Sequence, residues 1–142
     1  MKKHLFDTST LVAAILTGHN SHAVCLPQLQ KAQAREVQGI ISTHTLAELY
    51  SVLTRIPQTQ ITPVLAQKTI RDNLQTFEVV PLTAEDYMAA IDLMVQHQIP
   101  GGGIFDALIA QAAIKAEADV ILTLNPKHFV RLGTAIAKRV QM

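Results

Sequence analysis

The sequence predicts an α/β fold: a three-layer sandwich with a central parallel sheet of four to five strands and helices on both faces. Two observations carry this. Short strand-like runs alternate with longer helical ones along the whole chain, the pattern of a parallel sheet whose crossovers are helices. The 142 residues are 49% hydrophobic and 16% charged, which suits an apolar interior rather than a disordered chain. At this length one domain, spanning 1–142, is expected.

"KHLF" (Lys3–Phe6) reads as the first strand. "TLVAAIL" and "SHAVCLPQLQKAQA" read as helices, and "GIIS" (Gly39–Ser42) as the second strand. In "THTLAELYSVLTRI", Leu46, Leu49, Leu53 and Ile56 recur at helical spacing, and Pro57 ends the run. "PVLAQKTIRDNL" opens on a proline suited to a first helical turn. "FEVVPL" (Phe77–Leu82) is the third strand, and Thr83 with Asp86 caps a helix through His97. Three glycines break the chain before a helix from about Ile104 to Glu117. "DVILTL" (Asp119–Leu124) is the fourth strand, Pro126 starts a short helical turn, and "AIAKRV" is predicted as a fifth, edge strand.

A net charge of +1 gives no broad basic footprint for nucleic acid. The single cysteine, Cys25, excludes an internal disulfide and a cysteine zinc site, and reads as a small core residue. The apolar run before Asp7 is too short for a signal peptide, and none reaches membrane-spanning length. A cytoplasmic protein without membrane association is expected.

In open α/β sheets ligands bind beyond the carboxyl ends of the strands. Asp7 follows the first strand and Asn125 the fourth, while Glu48 and Asp106 fall in the early turns of helices. All four can meet at one edge. Each also has a plain structural role open to it. Asp7 can cap the next helix, Glu48 stands three after Thr45 as in a capping box, and Asn125 can cap the turn at Pro126. Asp106 has no basic residue near it in sequence before Lys115. Taken together the acids say more. Two carboxylates ~4 Å apart repel by on the order of 4 kcal/mol at an effective dielectric of about 20. Three at one edge call for a counter-charge, and an all-oxygen donor set suits Mg²⁺ or Mn²⁺. Such a centre performs metal-assisted phosphodiester hydrolysis.

Four blocks, "LFDTSTLVAAIL", "ISTHTLAELYSVLTR", "IFDALIAQAA" and "VILTLNPKHF", together resemble the signature blocks of PIN-domain nucleases, in the family's order and over nearly the whole chain. A lone domain of this length most resembles a VapC-type toxin of a toxin–antitoxin pair. The resemblance implies Mg²⁺- or Mn²⁺-dependent endoribonuclease activity on an RNA substrate, a small antitoxin protein as partner, and a homodimer. Residue by residue it makes Asp7, Glu48 and Asp106 the metal-binding acids and places Asn125 with them as catalytic, with Ser9 and Thr123 as hydroxyl groups beside them. One departure stands out. Where the family often has a fourth acid, this chain has Asn125 in Thr123-Leu124-Asn125. An amide oxygen can hold a water or a metal but brings no charge. Asp119 cannot substitute, since it begins the fourth strand at the opposite end of the sheet.

Other phosphate chemistries fit less well. A dehalogenase-like phosphatase needs a second Asp two residues after the first, where Ser9 stands; a receiver domain needs an Asp after the third strand, where "VVPLT" has none. No Walker motif exists, and the triple glycine does not follow a strand as a dinucleotide fingerprint would. No histidine pair has zinc-helix spacing, and His44, His97 and His128 read as exposed or capping groups. Lys127 and Arg131 flank the last block and can reach phosphates. The reading from another class is a PIN domain that binds RNA or protein in the same groove without cutting.

Overall fold

The computed structural model describes residues 1–57 and 60–142. The chain runs β1 (Lys3–Phe6), α1 (Thr8–Ile15), α2 (His22–Gln33), β2 (Gln38–Ser42), α3 (Thr43–Arg55), α4 (Pro63–Asn73), β3 (Glu78–Val80), α5 (Ala84–Gln96), α6 (Gly103–Lys115), β4 (Val120–Leu122), α7 (Pro126–Val130), α8 (Thr134–Ala137) and β5 (Val140–Gln141). The sheet order is β3-β2-β1-β4-β5, and every neighbouring pair is parallel. The chain winds outward from β1 to β3, then crosses back to lay β4 on the other side of β1. That reversal opens a crevice at the carboxyl ends of β1 and β4.

Strand side chains alternate between faces, and here both faces are apolar. Leu5, Ile40 and Ile121 turn to one core with α5, α6, α7 and α8. Phe6, Ile41 and Leu122 turn to the other with α1, α2, α3 and α4. This is why the strands read as continuous apolar runs. Helix α6 lies against α5 and the sheet. Its Ala107, Leu108, Ile109, Ala110, Ala112 and Ala113 are all buried, as a helix apolar around most of its circumference must be. Cys25 is a fully buried core residue.

The predicted caps resolve in two ways. Thr83 and Asp86 form the full capping box of α5, and Lys115 pairs with Asp86 at 2.8 Å. The capping role proposed for Glu48 is not used: α3 starts at Ser42, whose hydroxyl accepts from the Thr45 amide. The predicted edge strand "AIAKRV" is corrected. Its first residues belong to α8, entered through Gly133 at φ 108° and anchored by buried Ile136. Pairing starts only at Val140, opposite Ile121. Among the described residues no helix is long and apolar enough to cross a membrane.

Gly39 shows how tightly the second core closes. The Phe77 ring lies over its backbone and meets Phe6 edge-on, with centroids 5.1 Å apart. A Cβ at Gly39 would sit 2.7–2.9 Å from three Phe77 ring atoms. Gly39→Ala should therefore lower stability by about 1–3 kcal/mol, the usual range for overpacking. It should show as a lower urea midpoint at unchanged slope. Phe77→Leu combined with it should cost less than the sum of the single changes.

Candidate active site

Asp7 leaves β1 at the crevice. Its amide donates to the Leu122 carbonyl at 2.9 Å, carrying the sheet pairing one residue further, and its own carbonyl receives the Thr10 amide at 3.1 Å. It stands at the N-cap of α1, yet its side chain makes no capping bond. The carboxylate turns inward, 4% exposed. Its Oδ2 accepts two hydrogen bonds of 2.8 Å, from Ser9 Oγ and Thr123 Oγ1. Those hydroxyls are held in turn. Ser9 Oγ accepts from the Leu124 amide at 3.1 Å, and Thr123 Oγ1 from the Asn125 amide at 2.9 Å. Thr10 Oγ1 donates to the Leu122 carbonyl. One lattice of hydroxyls thus ties the ends of β1 and β4 around a single carboxylate.

Two helices bring the other acids. Glu48 sits on α3, one turn after His44, whose Nε2 lies 3.2 Å from Glu48 Oε2. The spacing of four residues puts both on one helix face. Asp106 lies in the first turn of α6, and its Oδ2 is 3.5 Å from His128 and 3.9 Å from Arg131. Asp7, Glu48, Asp106, Ser9 and Asn125 line one cleft of about 260 Å³, together with Thr8, Val12, His19 and Val52. Asn125 stands at the N-cap of α7 without a side-chain capping bond, so its amide is not committed to that helix. Asp119 is indeed at the far end, where it accepts from the Lys3 amide.

The electrostatics follow from the crowding. Burial, above all, raises the Asp7 pKa, and the Glu48 charge adds to it, against the two hydroxyl bonds that favour ionisation. Asp106 is pushed up to about 6, first by burial and then by the Asp7 charge, with His128 and Arg131 pulling the other way. Glu48 goes below its ordinary value because the His44 hydrogen bond outweighs its burial. In two of the three acids the ionised form is therefore disfavoured by the surroundings.

The donors are carboxylates, hydroxyls and an amide, all oxygen, which is the set a hard divalent cation takes. The buried Thr8 hydroxyl, also lining this cleft, makes no hydrogen bond of ordinary geometry among the described residues, although it lies close enough to Glu48 to help lower that acid's pKa, and a polar atom so loosely held leaves room for a ligand or water. By chemistry the residues fit such an ion. They are not drawn into a closed cage: among the described residues no three Asp, Glu, His or Cys side chains are grouped to hold a metal as they stand.

Sequence reasoning left His44 and His128 as exposed or capping groups, whereas each contacts one of the acids. For His44 the signal was present, in its four-residue spacing from Glu48 on a helix. For His128 there was none, since only the packing of α7 on α6 brings it to Asp106. His19 also lines the cleft, from the loop after α1.

The PIN-domain family model matches residues 5–134. The chain belongs to this family. Its relatives within PIN domains include ribonuclease VapC40 of Mycobacterium tuberculosis, 32% identical over 117 residues and covering 81% of each chain. Ribonuclease VapC27 of the same organism is 27% identical over 115 residues, covering 80% of this chain and 79% of that one. The DNA-bound VapBC structure from Salmonella typhimurium superimposes with a TM-score of 0.70 at 19% identity, over 99% of this chain and 98% of its counterpart. The last likeness is one of fold. The four sequence blocks of the PIN domain now have places: β1 with α1, the early turns of α3, those of α6, and β4 with α7.

The raised carboxyl values fix a pH dependence. A carboxyl whose pKa is higher folded than unfolded opposes folding while ionised, and this opposition fades as pH falls through the folded value. In the metal-free PIN domain Asp106 should therefore add stability as pH drops from about 7 to about 5, through its value of about 6, with Asp7 acting in the same direction and partly buried His4, whose pKa is lowered, acting against them. Glu48 contributes with the opposite sign, and its stabilisation is lost only below the ordinary value of 4.5. Urea unfolding of the parent and of Asp106→Asn at the two pH values isolates the acid's share: the parent should gain stability relative to the variant as pH drops. An Asp106→Asn variant with the parent's pH dependence would contradict the assignment.

Proposed function

We propose that the protein is an endoribonuclease dependent on Mg²⁺ or Mn²⁺, the toxin of a type II toxin–antitoxin pair, built as one PIN domain over residues 1–142 and acting in the cytoplasm. The observation that carries the chemistry is the oxygen-only cleft at the crevice between β1 and β4. Asp7, Glu48 and Asp106 line it, and the ionised forms of two of them are disfavoured there. The VapC ribonucleases among its relatives support RNA as the substrate.

Asp7, Glu48 and Asp106 would hold the cation. When bound it supplies a Lewis acid for the phosphate and lowers the pKa of water. The chain's own contribution is positional. Ser9 and Thr123 fix the Asp7 carboxylate through its Oδ2. His44 orients Glu48. Asn125 presents an amide that can orient water without adding charge. Arg131 and Lys127, both exposed beside the site, meet the phosphates of the RNA.

The partner reading rests on a different surface. Of the apolar residues predicted on α3 and α4, Leu49 and Leu53 are core, but Val64 is 76% exposed and Leu65 47%, next to half-exposed Tyr50. Tyr50, Pro63, Val64 and Ile70 line an open cleft of about 390 Å³. We assign this face to the antitoxin and to the homodimer contact that the family resemblance implies. A second reading, a PIN domain that binds without cutting, draws on Asn125 in the place of an acid.

Cleavage separates the two. Asp7→Asn and Asp106→Asn should each reduce RNA cleavage by more than about 100-fold while both proteins stay folded. Thr123→Val, which releases Asp7 and the Asn125 amide together, should cost about 10–100-fold, as loss of an outer partner usually does. Asn125→Asp should tighten Mn²⁺ binding in calorimetry at low ionic strength. Full activity in the Asp106→Asn variant would remove that residue from the centre, and a parent protein that cuts no RNA with either metal would favour the binding-only reading.

A further inference from the structure

The chain has four phenylalanines. Phe6 and Phe129 are fully buried, and Phe77 closes over Gly39. Phe105 alone is half exposed, at 49%. Its ring lies parallel to the His44 imidazole, with centroids 5.2 Å apart and planes 4° from parallel. About half of the Phe105 surface stays open to solvent beside that contact. The two rings are also positioned by the site. Phe105 immediately precedes Asp106 on α6, and His44 stands one turn before Glu48 on α3, with its ring fixed by the contact to Glu48.

The stack borders a cleft of about 500 Å³ lined by His44, Glu48, Ser51, Val52, Arg55 and Phe105. Glu48 and Val52 line the acidic cleft as well, so the two hollows lie side by side along α3. The acidic part, about 260 Å³, is below the usual range for a small-molecule site. A nucleotide whose phosphate entered it would extend its base into the neighbouring cleft. Arg55 stands exposed on that cleft, in no ion pair among the described residues, and supplies positive charge where the acids would otherwise repel a phosphate chain.

We propose that the Phe105–His44 stack is a platform for one unpaired base of the RNA next to the scissile phosphate, with Arg55 meeting the backbone beyond it. The inference rests on the ribonuclease reading. A flat aromatic face accepts any base, and such stacking changes affinity by roughly five- to 150-fold per base. The platform thus positions single-stranded substrate and grades bases by stacking strength rather than by hydrogen-bond readout.

The test is cleavage of a random-sequence single-stranded RNA pool in Mn²⁺, with the new ends sequenced. Phe105→Leu removes the π-face while keeping apolar bulk, so the fold is preserved. It should raise KM about tenfold, change kcat much less, and flatten the base preference at one position beside the cut. Phe105→Trp should keep the parent KM and a preference at that position. Parent values of KM and preference in Phe105→Leu would overturn the platform, and would do so equally if that variant lost only its inhibition by the antitoxin, which would make the stack a protein contact. A parent that cuts none of the pool in Mn²⁺ or Mg²⁺ fails the ribonuclease reading itself, and the platform with it; only an active parent with an indifferent Phe105→Leu isolates the platform's failure.

Discussion

The carboxylate of Asp7 is the point on which the site turns. It is almost wholly buried, forms no ion pair among the described residues, and is held by two hydroxyls that are themselves held by backbone amides of the segment after β4. A buried carboxylate without a counter-charge is costly. The two hydrogen bonds offset part of that cost and no more, since the pKa stays raised. The residual is what a cation would relieve. Because the same hydroxyls join the ends of β1 and β4, the crevice cannot open without loosening the acid, and the acid cannot move without loosening the crevice.

The remaining groups are placed by rigid elements. Helix α6 is wedged between α5 and the sheet by small and aliphatic side chains, and Asp106 in its first turn is held by that packing at the rim of the cleft. Its neighbours His128 and Arg131 come from α7 and its C-cap, so the short helix that follows Asn125 brings basic groups to this acid. Glu48 differs from the other two. It alone has a lowered pKa, because His44 shares its helix face. The cleft therefore joins one settled carboxylate to two strained ones, a division set by which residues stand one helical turn away.

Much of this was legible in the sequence. Apolar runs on both sides of the sheet announced buried parallel strands, and the acids fell where such strands end. Asp7, Glu48, Asp106, Asn125, Ser9 and Thr123 do border or support one cleft, since their places follow from element order alone. Other features depend on packing across long separations. His128 reaches Asp106 only through the seating of α7, and Phe105 looks like one more core residue of an apolar helix until its exposure is seen. The edge strand was misplaced because "AIAKRV" carries apolar residues that serve a short helix as well as a strand, and only the partner strand decides between them. The capping box suggested by Thr45 and Glu48 failed for a similar reason: Ser42 was an equally good cap, three residues earlier.

The central claim is that these acids are crowded because a divalent cation belongs among them. Calorimetric titration of Mn²⁺ into the protein at about pH 6, repeated in buffers of different ionisation enthalpy, tests it most directly. At that pH Asp106, with its pKa of about 6, is partly protonated, so binding should expel protons and the apparent enthalpy should vary with the buffer. Asp106→Asn should weaken binding and abolish most of the buffer dependence. Absence of binding, or binding with no proton release, would contradict the account.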